Sequence, residues 1–303
     1  MRRVFSWIAW PGLLALCIAG YAYGNALGHP ILAYNITYFG MAAALLLLER
    51  LMPYEPAWAK SDGQTRQDIS HTALNKGIGQ FLAGTAAMLG ASQVAPATAS
   101  GFWPAHWPMA AQVVLGLAVA EFGLYWAHRL GHEIPWLWRY HAVHHSVTRL
   151  WVVNTGRFHF VDSLIATLFA LVLGILVGAP KEVVVWVLAI TTYIGFLTHC
   201  NVDMDCRGLN WLFNTPDLHR WHHSRLPSEG NTNYGENLLL WDIIFRTRYL
   251  PLDRRPPVDI GTADPVPLTF LGQLAYPFRR HGATAPVLDT PALETRAEAA
   301  GGD

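Results

Sequence analysis

The chain of 303 residues carries 21 basic and 21 acidic side chains, a balance that excludes the basic surface typical of nucleic-acid-binding proteins. Only 14% of its residues are charged and 52% are hydrophobic, whereas soluble domains carry about 25% charged residues. The composition therefore excludes an ordinary soluble domain and predicts a membrane-embedded protein. The three cysteines, Cys17, Cys200 and Cys206, form no C-x-x-C pair, which argues against a disulfide framework or a thiolate zinc site.

Six apolar runs approach the roughly 20 residues that cross a bilayer as a helix. They are Phe5–Gly24, Ile31–Leu48, Ile78–Ala95, Met109–Trp126, Val161–Ala179 and Val183–Thr198. The first run has features of a signal peptide, but its length and the second run close behind it favour a retained helix. We expect an all-α membrane protein with four to six transmembrane or re-entrant helices.

Basic residues in the short connections predict which helix ends lie in the cytoplasm. Arg2 and Arg3 place the N-terminus there, the basic connection 49–76 returns there, and the uncharged connection 96–108 lies outside. The fourth apolar run then descends to the cytoplasm, and the hairpin of the fifth and sixth runs returns to it. We therefore expect a multi-pass protein of the inner membrane whose histidines lie at the cytoplasmic face.

Histidines cluster in three groups with the spacings H-x-x-x-H, H-x-x-H-H and H-x-x-H-H. The groups are His128 and His132; His141, His144 and His145; and His219, His222 and His223. Helical residues three and four apart lie on one face, so we expect each group to point in one direction. A lone histidine is more often an ordinary buried polar side chain than a ligand. Eight imidazoles together exceed the about six positions of one ion, which predicts a helical cap with a two-metal site.

Two familiar metal sites do not fit this pattern. Arg129 occupies the position at which the zinc protease motif H-E-x-x-H has its glutamate. Carboxylate-bridged di-iron bundles need E-x-x-H pairs, which the histidine groups lack. Two other classes stay open as alternatives: a membrane transporter of divalent metals, which needs ligands deep in its helices, and a haem-binding electron carrier, which needs only paired histidines.

Three further motifs accompany the histidine groups. GRFHFVDSL resembles the pattern R-x-H-P-x-(D/E), LTHCN resembles a single-histidine motif, and NYGENLLLWDIIFRT resembles N-Y-G-x-x-L-x-x-W-D-x-x-F-G-T. From about Glu121 to Tyr249, this ordered set resembles the fatty acid hydroxylase/sterol desaturase superfamily. Phe160 stands where that family usually has proline, and Arg246 where it often has glycine. Neither position belongs to a ligand, so both departures bear on the substrate.

The resemblance implies a non-haem centre of two iron ions that uses O₂ to hydroxylate or desaturate a lipid. The implied ligands are His128, His132, His141, His144, His145, His199, His219, His222 and His223. The resemblance also implies that His159 supports a ligand or is one. Asn201 and Asp242 are further candidates for supporting residues, because a ligating histidine usually donates its other N–H to such a group.

The lipid and the choice between hydroxylation and desaturation stay open, since sterol-like lipids, hopanoids, carotenoids, alkylglycerols and aminolipids all fit. No flavin, nicotinamide or haem segment is visible, so we expect a separate electron donor, a ferredoxin or a cytochrome b₅-like protein with its reductase. The predicted regions are N-terminal transmembrane helices (1–110), the catalytic region (111–250) and a polar C-terminal tail (251–303), within one integrated domain.

Overall fold

The computed structural model describes residues 2–88 and 102–279, which are almost entirely helical. The longer helices are α1 (Arg2–Ala26), α2 (Pro30–Leu51), α3 (Thr65–Met88), α4 (Met109–Glu133), α5 (Pro135–His145), α6 (Phe160–Leu176) and α7 (Lys181–His199). The shorter ones are α8 (Pro216–His222), α9 (Pro227–Gly230), α10 (Leu240–Ile244) and α11 (Phe270–Ala275). Within the described ranges there is no β-sheet, only isolated bridges. The predicted all-α class is confirmed.

In the described part of the chain, four helices are long and apolar enough to cross a membrane: α1 from Arg3 onward, α2, α4 and α7. Helix α6 is apolar but has 17 residues, which at about 1.5 Å per residue falls short of the roughly 30 Å hydrocarbon core. Helix α3 contains the first part of the predicted run Ile78–Ala95, and residues 89–95 lie outside the described part of the chain. Four spans and one shorter apolar helix agree with the predicted range.

Helices α1 and α2 form an antiparallel hairpin that packs on α7. Small residues permit the close approach, since a Cβ placed on Gly24 of α1 would overlap Ala33 of α2. The Thr37 hydroxyl of α2 lies 2.6 Å from the Tyr193 hydroxyl of α7, so the two buried polar groups satisfy each other. Trp10 of α1 is buried in the same apolar core. The hairpin therefore supports the helix that carries His199.

The ends of three long helices meet on one side of the molecule. The Asp205 amide, just after α7, donates to the Ser6 carbonyl near the start of α1. The Asp203 amide donates to the Met52 carbonyl at the end of α2. The start of α1 and the ends of α2 and α7 thus lie on the same side. This arrangement agrees with the alternation of helix direction that the basic residues predict.

The C-terminal region differs from the sequence prediction of a polar tail from residue 251 onward. Ile260, Gln273 and Tyr276 are buried, and the Gln273 side chain lies 2.9 Å from His71 Nε2 of α3. The prediction is therefore wrong for residues 251–279, while 280–303 lie outside the described residues. A few buried side chains, separated by proline-rich turns, hold this segment against the rest of the protein. Because they do not recur with a helical or strand period, the hydropathy pattern does not predict the packing.

Gly123 of α4 sets the distance between α4 and α6. A Cβ at Gly123 of α4 would lie 2.6 Å from the backbone oxygen of Phe169 in α6. Backbone atoms of a packed helix yield less readily than a flexible side chain, so only glycine fits this contact without separating the helices.

We expect Gly123→Ala to destabilise the protein by about 1–3 kcal/mol, because the added methyl group overpacks the α4–α6 contact. Gly174→Ala is the matched control, since a Cβ there meets nothing within 4 Å. The measurement is the melting temperature of the detergent-solubilised protein. Equal melting temperatures for both variants would contradict the close contact.

Candidate metal centre

Nine buried histidines form two adjacent groups, each with ligand atoms within 4.8 Å of one another. The five-histidine group is His128, His132, His141, His145 and His222. The four-histidine group is His144, His199, His219 and His223. These nine are the residues that the sequence analysis named as ligands, and every one of them lies in one of the two groups. Each group can therefore hold a metal ion.

The helices divide the histidine motifs in a way that the spacing did not predict. On α5, His141 and His145 are four residues apart and join the five-histidine group, whereas His144 turns to the other group. The third motif does the reverse: His219 and His223 join the four-histidine group, and His222 crosses over. The expectation that each motif points in one direction is therefore wrong for the two H-x-x-H-H motifs, whereas His128 and His132 of the first motif do lie in the same group. Each H-x-x-H-H motif contributes to both groups, because adjacent helical residues lie about 100° apart.

The inner nitrogens of the rings face one another. Nε2 of His145 lies 3.1 Å from Nε2 of His222, and Nε2 of His219 lies 3.0 Å from Nε2 of His223. Two nitrogens that bind one metal at a right angle, each at about 2.1 Å, are also about 3 Å apart. The nitrogen separations therefore fit shared metal ions.

Three more inner nitrogens support the same fit. Nε2 of His128, of His132 and of His141 is buried and has no hydrogen-bond partner among residues 2–88 and 102–279. A buried polar atom without a partner costs free energy, and such atoms in a native protein need an explanation. A metal ion in the five-histidine group supplies the missing partner for all three.

The outer nitrogens of six rings are held by the surrounding protein. These Nδ1 contacts are His128 to the Tyr234 carbonyl (2.7 Å), His222 to the Thr232 carbonyl (2.7 Å), His144 to the Arg157 carbonyl (3.3 Å), His132 to Asn231 (3.0 Å), His141 to Asp162 (2.9 Å) and His199 to Asn154 (3.1 Å). An acceptor at Nδ1 fixes the proton there and leaves the Nε2 lone pair free to bind a metal.

Asp242 acts on the site through the backbone. Its carboxylate accepts hydrogen bonds from the amides of Tyr234 and Gly235, at 2.8 and 2.7 Å, and from the Thr247 hydroxyl. The Tyr234 carbonyl in turn accepts from His128. Asp242 therefore touches no histidine of the two groups but shapes the loop that orients one of them.

His159 and Asn201 lie outside both histidine groups. Nδ1 of His159 accepts from the Val161 amide at the start of α6, and Nε2 donates to the Leu274 carbonyl, so both ring nitrogens are occupied. The Asn201 side chain exchanges hydrogen bonds with the Glu55 backbone. Asn154 holds His199 instead, a role that the sequence analysis assigned to no residue.

Sequence reasoning also missed the residues that support His141 and His144. Asp162 lies in the quoted GRFHFVDSL motif, which was a usable signal for a supporting carboxylate. Arg157, in the same motif, forms a 2.8 Å ion pair with Asp68 of α3, and both side chains are only 1% exposed. This pair fixes the Arg157 backbone whose carbonyl accepts from His144. Asp68 carries no local motif, so no sequence signal pointed to it.

Burial favours the neutral form of five histidines that lie outside the four long apolar helices. Desolvation, together with the charges of neighbouring histidines, lowers the pKa of these five side chains well below its usual range. These are His144, His145, His219, His222 and His223. Metal binding requires the neutral imidazole, so the site is ready to bind metal at neutral pH without first releasing protons.

A cavity of about 190 Å³ adjoins the five-histidine group between α4 and α6. His128 and His141 form part of its wall, and Phe158 lies beside them. The Phe158 ring stacks on His144 with a centroid distance of 3.9 Å and an interplanar angle of 7°. The cavity therefore reaches one histidine group directly, while an aromatic ring covers a histidine of the other.

The fatty acid hydroxylase family model matches residues 113–247, the segment that contains all nine histidines. The ornithine lipid hydroxylase OlsE of Rhizobium tropici is 51% identical over 284 residues, which cover 91% of this chain and 84% of that protein. The chain belongs to the fatty acid hydroxylase family.

More distant relatives in the family oxidise other lipids by name. The alkylglycerol monooxygenase of Xenopus tropicalis is 30% identical over 42% of this chain and 28% of its own length. The methylsterol monooxygenase 2-2 of Arabidopsis thaliana is 25% identical over 48% of this chain and 54% of its own length. No solved structure matches the chain. The family, the apolar helices and the metal-binding geometry together identify a membrane lipid oxygenase.

The lowered histidine pKa values predict a flat pH profile of metal affinity. A histidine with its usual pKa of about 6.5 takes up protons below pH 6.5 and loses metal, whereas these histidines stay neutral to lower pH. We expect the dissociation constant for Zn²⁺, used as a redox-inert probe, to change less than about three-fold between about pH 7.5 and pH 6. A ten-fold loss of affinity over that window, measured by competition titration, would show that the site titrates like free histidine.

We expect Asp162→Asn to weaken metal affinity by about 10–100-fold, because the amide no longer offers His141 a charged acceptor. Asp259→Asn is the matched control, since Asp259 is 81% exposed and pairs with Arg225 at the surface. Competition titration with a chelator measures both variants. Equal affinities would mean that Asp162 does not support a metal ligand.

Proposed function

We propose that this membrane lipid oxygenase hydroxylates an ornithine lipid by means of two iron ions and O₂. The observation that carries the proposal is the division of nine buried histidines into a group of five and a group of four. Nine donors exceed the about six positions of one octahedral ion, which supports two ions. The proposed ligands are the nine histidines of the two groups.

The reaction, which requires a redox-active metal, favours iron, whereas the type of ligand does not. Imidazole also suits zinc, copper and nickel, but zinc has no redox chemistry with which to activate O₂. Two bound irons would supply the redox chemistry that oxidises an unactivated C–H bond. One oxygen atom of O₂ enters the lipid and the other leaves as water, and a separate protein supplies two electrons. We propose a ferredoxin or a cytochrome b₅-like protein as that donor.

The protein's own residues orient and shield this centre. The acceptors at Nδ1, among them Asp162 and Asn154, hold each ring so that Nε2 faces the group. Phe158, Leu124 and Ala127 line the apolar part of the cavity next to His128 and keep water from the reacting bond. Exclusion of water strengthens the electrostatic interactions inside the site and limits side reactions.

Hydroxylation and an ornithine lipid are proposed from the relatives. The Rhizobium tropici protein named as an ornithine lipid hydroxylase aligns with nearly the whole chain, and the more distant relatives are named as monooxygenases. We place the site at the cytoplasmic face of the inner membrane. The basic residues near the start of α1 support this side, because the ends of the helices that carry the ligands lie next to that start.

We further propose that the predicted regions 1–110, 111–250 and 251–279 form one integrated domain. Glu49 of α2 accepts hydrogen bonds from the amides of Val152 and Asn201, which belong to the catalytic region. The Gln273 side chain of α11 bonds to His71 of α3. Buried polar contacts of this kind connect all three regions through their interiors.

The test is expression in a bacterium that makes ornithine lipid but lacks its hydroxylation. The wild-type protein is expected to produce a lipid with one added oxygen, labelled from ¹⁸O₂, and to carry two irons when purified. His144→Ala and His222→Ala remove one ligand from each group. Each is expected to reduce product formation at least about 100-fold and to lower the iron content, because the residual ligands hold the metal less tightly.

His29→Ala is the control, since His29 is exposed and lies outside both groups. It should retain the iron content and the activity of the wild-type protein. Full activity of either ligand variant, a product lacking ¹⁸O, or a desaturated product would overturn the corresponding part of the proposal.

A further inference from the structure

The wall of the cavity beside the five-histidine group is mostly apolar, and a few polar side chains interrupt it, among them Asp162, Ser163, Thr167 and Glu236. Its volume of about 190 Å³ is below the roughly 300–1,000 Å³ of pockets that enclose drug-sized ligands. The cavity is therefore too small to enclose a whole acyl chain and accommodates a shorter fragment of a lipid.

Three carboxylates lie at or near this cavity, and two of them are already engaged. Asp162 accepts the hydrogen bond from His141. Glu121 accepts from the amides of Glu236 and Asn237 and from the Asn237 side chain. The Glu236 side chain, which lies in the cavity wall, differs, because no hydrogen bond or ion pair engages its carboxylate among the side chains that the structure describes.

The surroundings of Glu236 favour a positive ligand. Desolvation, followed by the charges of Glu121 and then Asp162, raises the pKa of Glu236 to about 8. Ionising this carboxylate without a counter-charge is therefore costly, and a cation beside it offsets that cost. An acyl chain beside Glu236 would bury its carboxyl group without a new hydrogen bond, and an anionic group there would meet like charge.

We propose that the Glu236 carboxylate binds the ammonium group of the substrate headgroup and so selects an aminolipid whose headgroup carries a free amine. The inference rests on the proposed function, since an ornithine with one acylated amine keeps the other as an ammonium at neutral pH. In this arrangement Glu236 is a specificity residue, whereas the metal ligands carry out the oxidation. The ammonium group lies in the same cavity as His128 and His141, so its position orients the neighbouring C–H bonds toward the five-histidine group.

The test compares two lipids: an N-acylornithine lipid with a free side-chain amine, and the same lipid with that amine acetylated. Binding is measured without O₂ to metal-loaded protein in nanodiscs, so that no turnover occurs. The wild-type protein is expected to bind the free amine at least about ten-fold more tightly. Glu236→Gln should remove most of this preference and leave binding of the acetylated lipid within about two-fold.

Glu182→Gln is the matched control, because Glu182 is exposed at the start of α7 and does not line the cavity. It should retain the wild-type preference. Glu236→Asp keeps the charge and should retain a preference for the free amine even if it binds more weakly. Kinetics under O₂ should show that Glu236→Gln raises KM for the ornithine lipid more than it lowers kcat.

Equal binding of the two lipids by the wild-type protein would overturn the inference without any variant. An equal effect of Glu236→Gln on both lipids, or a loss of metal from that variant, would assign Glu236 to the metal centre or to folding and would overturn it as well. The proposed function fails separately, if the wild-type protein adds no oxygen to ornithine lipid in the membrane.

Discussion

Each imidazole of the centre has two nitrogens, and the arrangement depends on which of them the protein occupies. Where an acceptor holds Nδ1, as the Tyr234 carbonyl does for His128 and Asp162 does for His141, the Nε2 lone pair is left for the interior of the group. The reverse tautomer would turn N–H bonds toward each other at separations of about 3 Å. The acceptors around the two groups therefore fix the tautomer of six of the nine histidines and turn their Nε2 lone pairs toward the interior.

Those acceptors belong mostly to loops, and buried carboxylates hold the loops in place. Glu121 of α4 binds two amides of the segment after Gly235, and Asp242 binds the amides of Tyr234 and Gly235 from the other side. Glu49 of α2 does the same for the segment that begins at Val152. Two of the helices long enough to span a membrane thus fix the loop backbone that orients the rings. Because an unpaired buried carboxylate costs more than an unpaired surface one, each of these contacts specifies one loop conformation.

The hydropathy pattern was sufficient to predict a helical membrane protein with four to six apolar helices, and motif spacing identified eight of the nine histidines, because both patterns are local. His199 was implied by the family resemblance alone. Motif spacing did not predict features that depend on contacts between segments far apart in the sequence. His144 and His145 are adjacent in sequence, but they point to different sides of α5 and enter different groups, together with histidines from the distant segment 219–223. Asn154 and not Asn201 holds His199 for the same reason, and nothing near Asn154 in the sequence marks it.

The two groups also differ in their surroundings, and the difference affects the side from which a lipid would reach them. The cavity touches His128 and His141 of the five-histidine group, whereas Phe158 covers His144 of the other. If each histidine gave one nitrogen to a metal ion, the group of five would leave fewer of about six positions open than the group of four. A lipid in the cavity would then lie beside the group with fewer open positions. The stacked rings of His145 and His223, whose centroids are 4.6 Å apart, lie where the two groups meet, so the group that faces the cavity is continuous with the group that Phe158 covers.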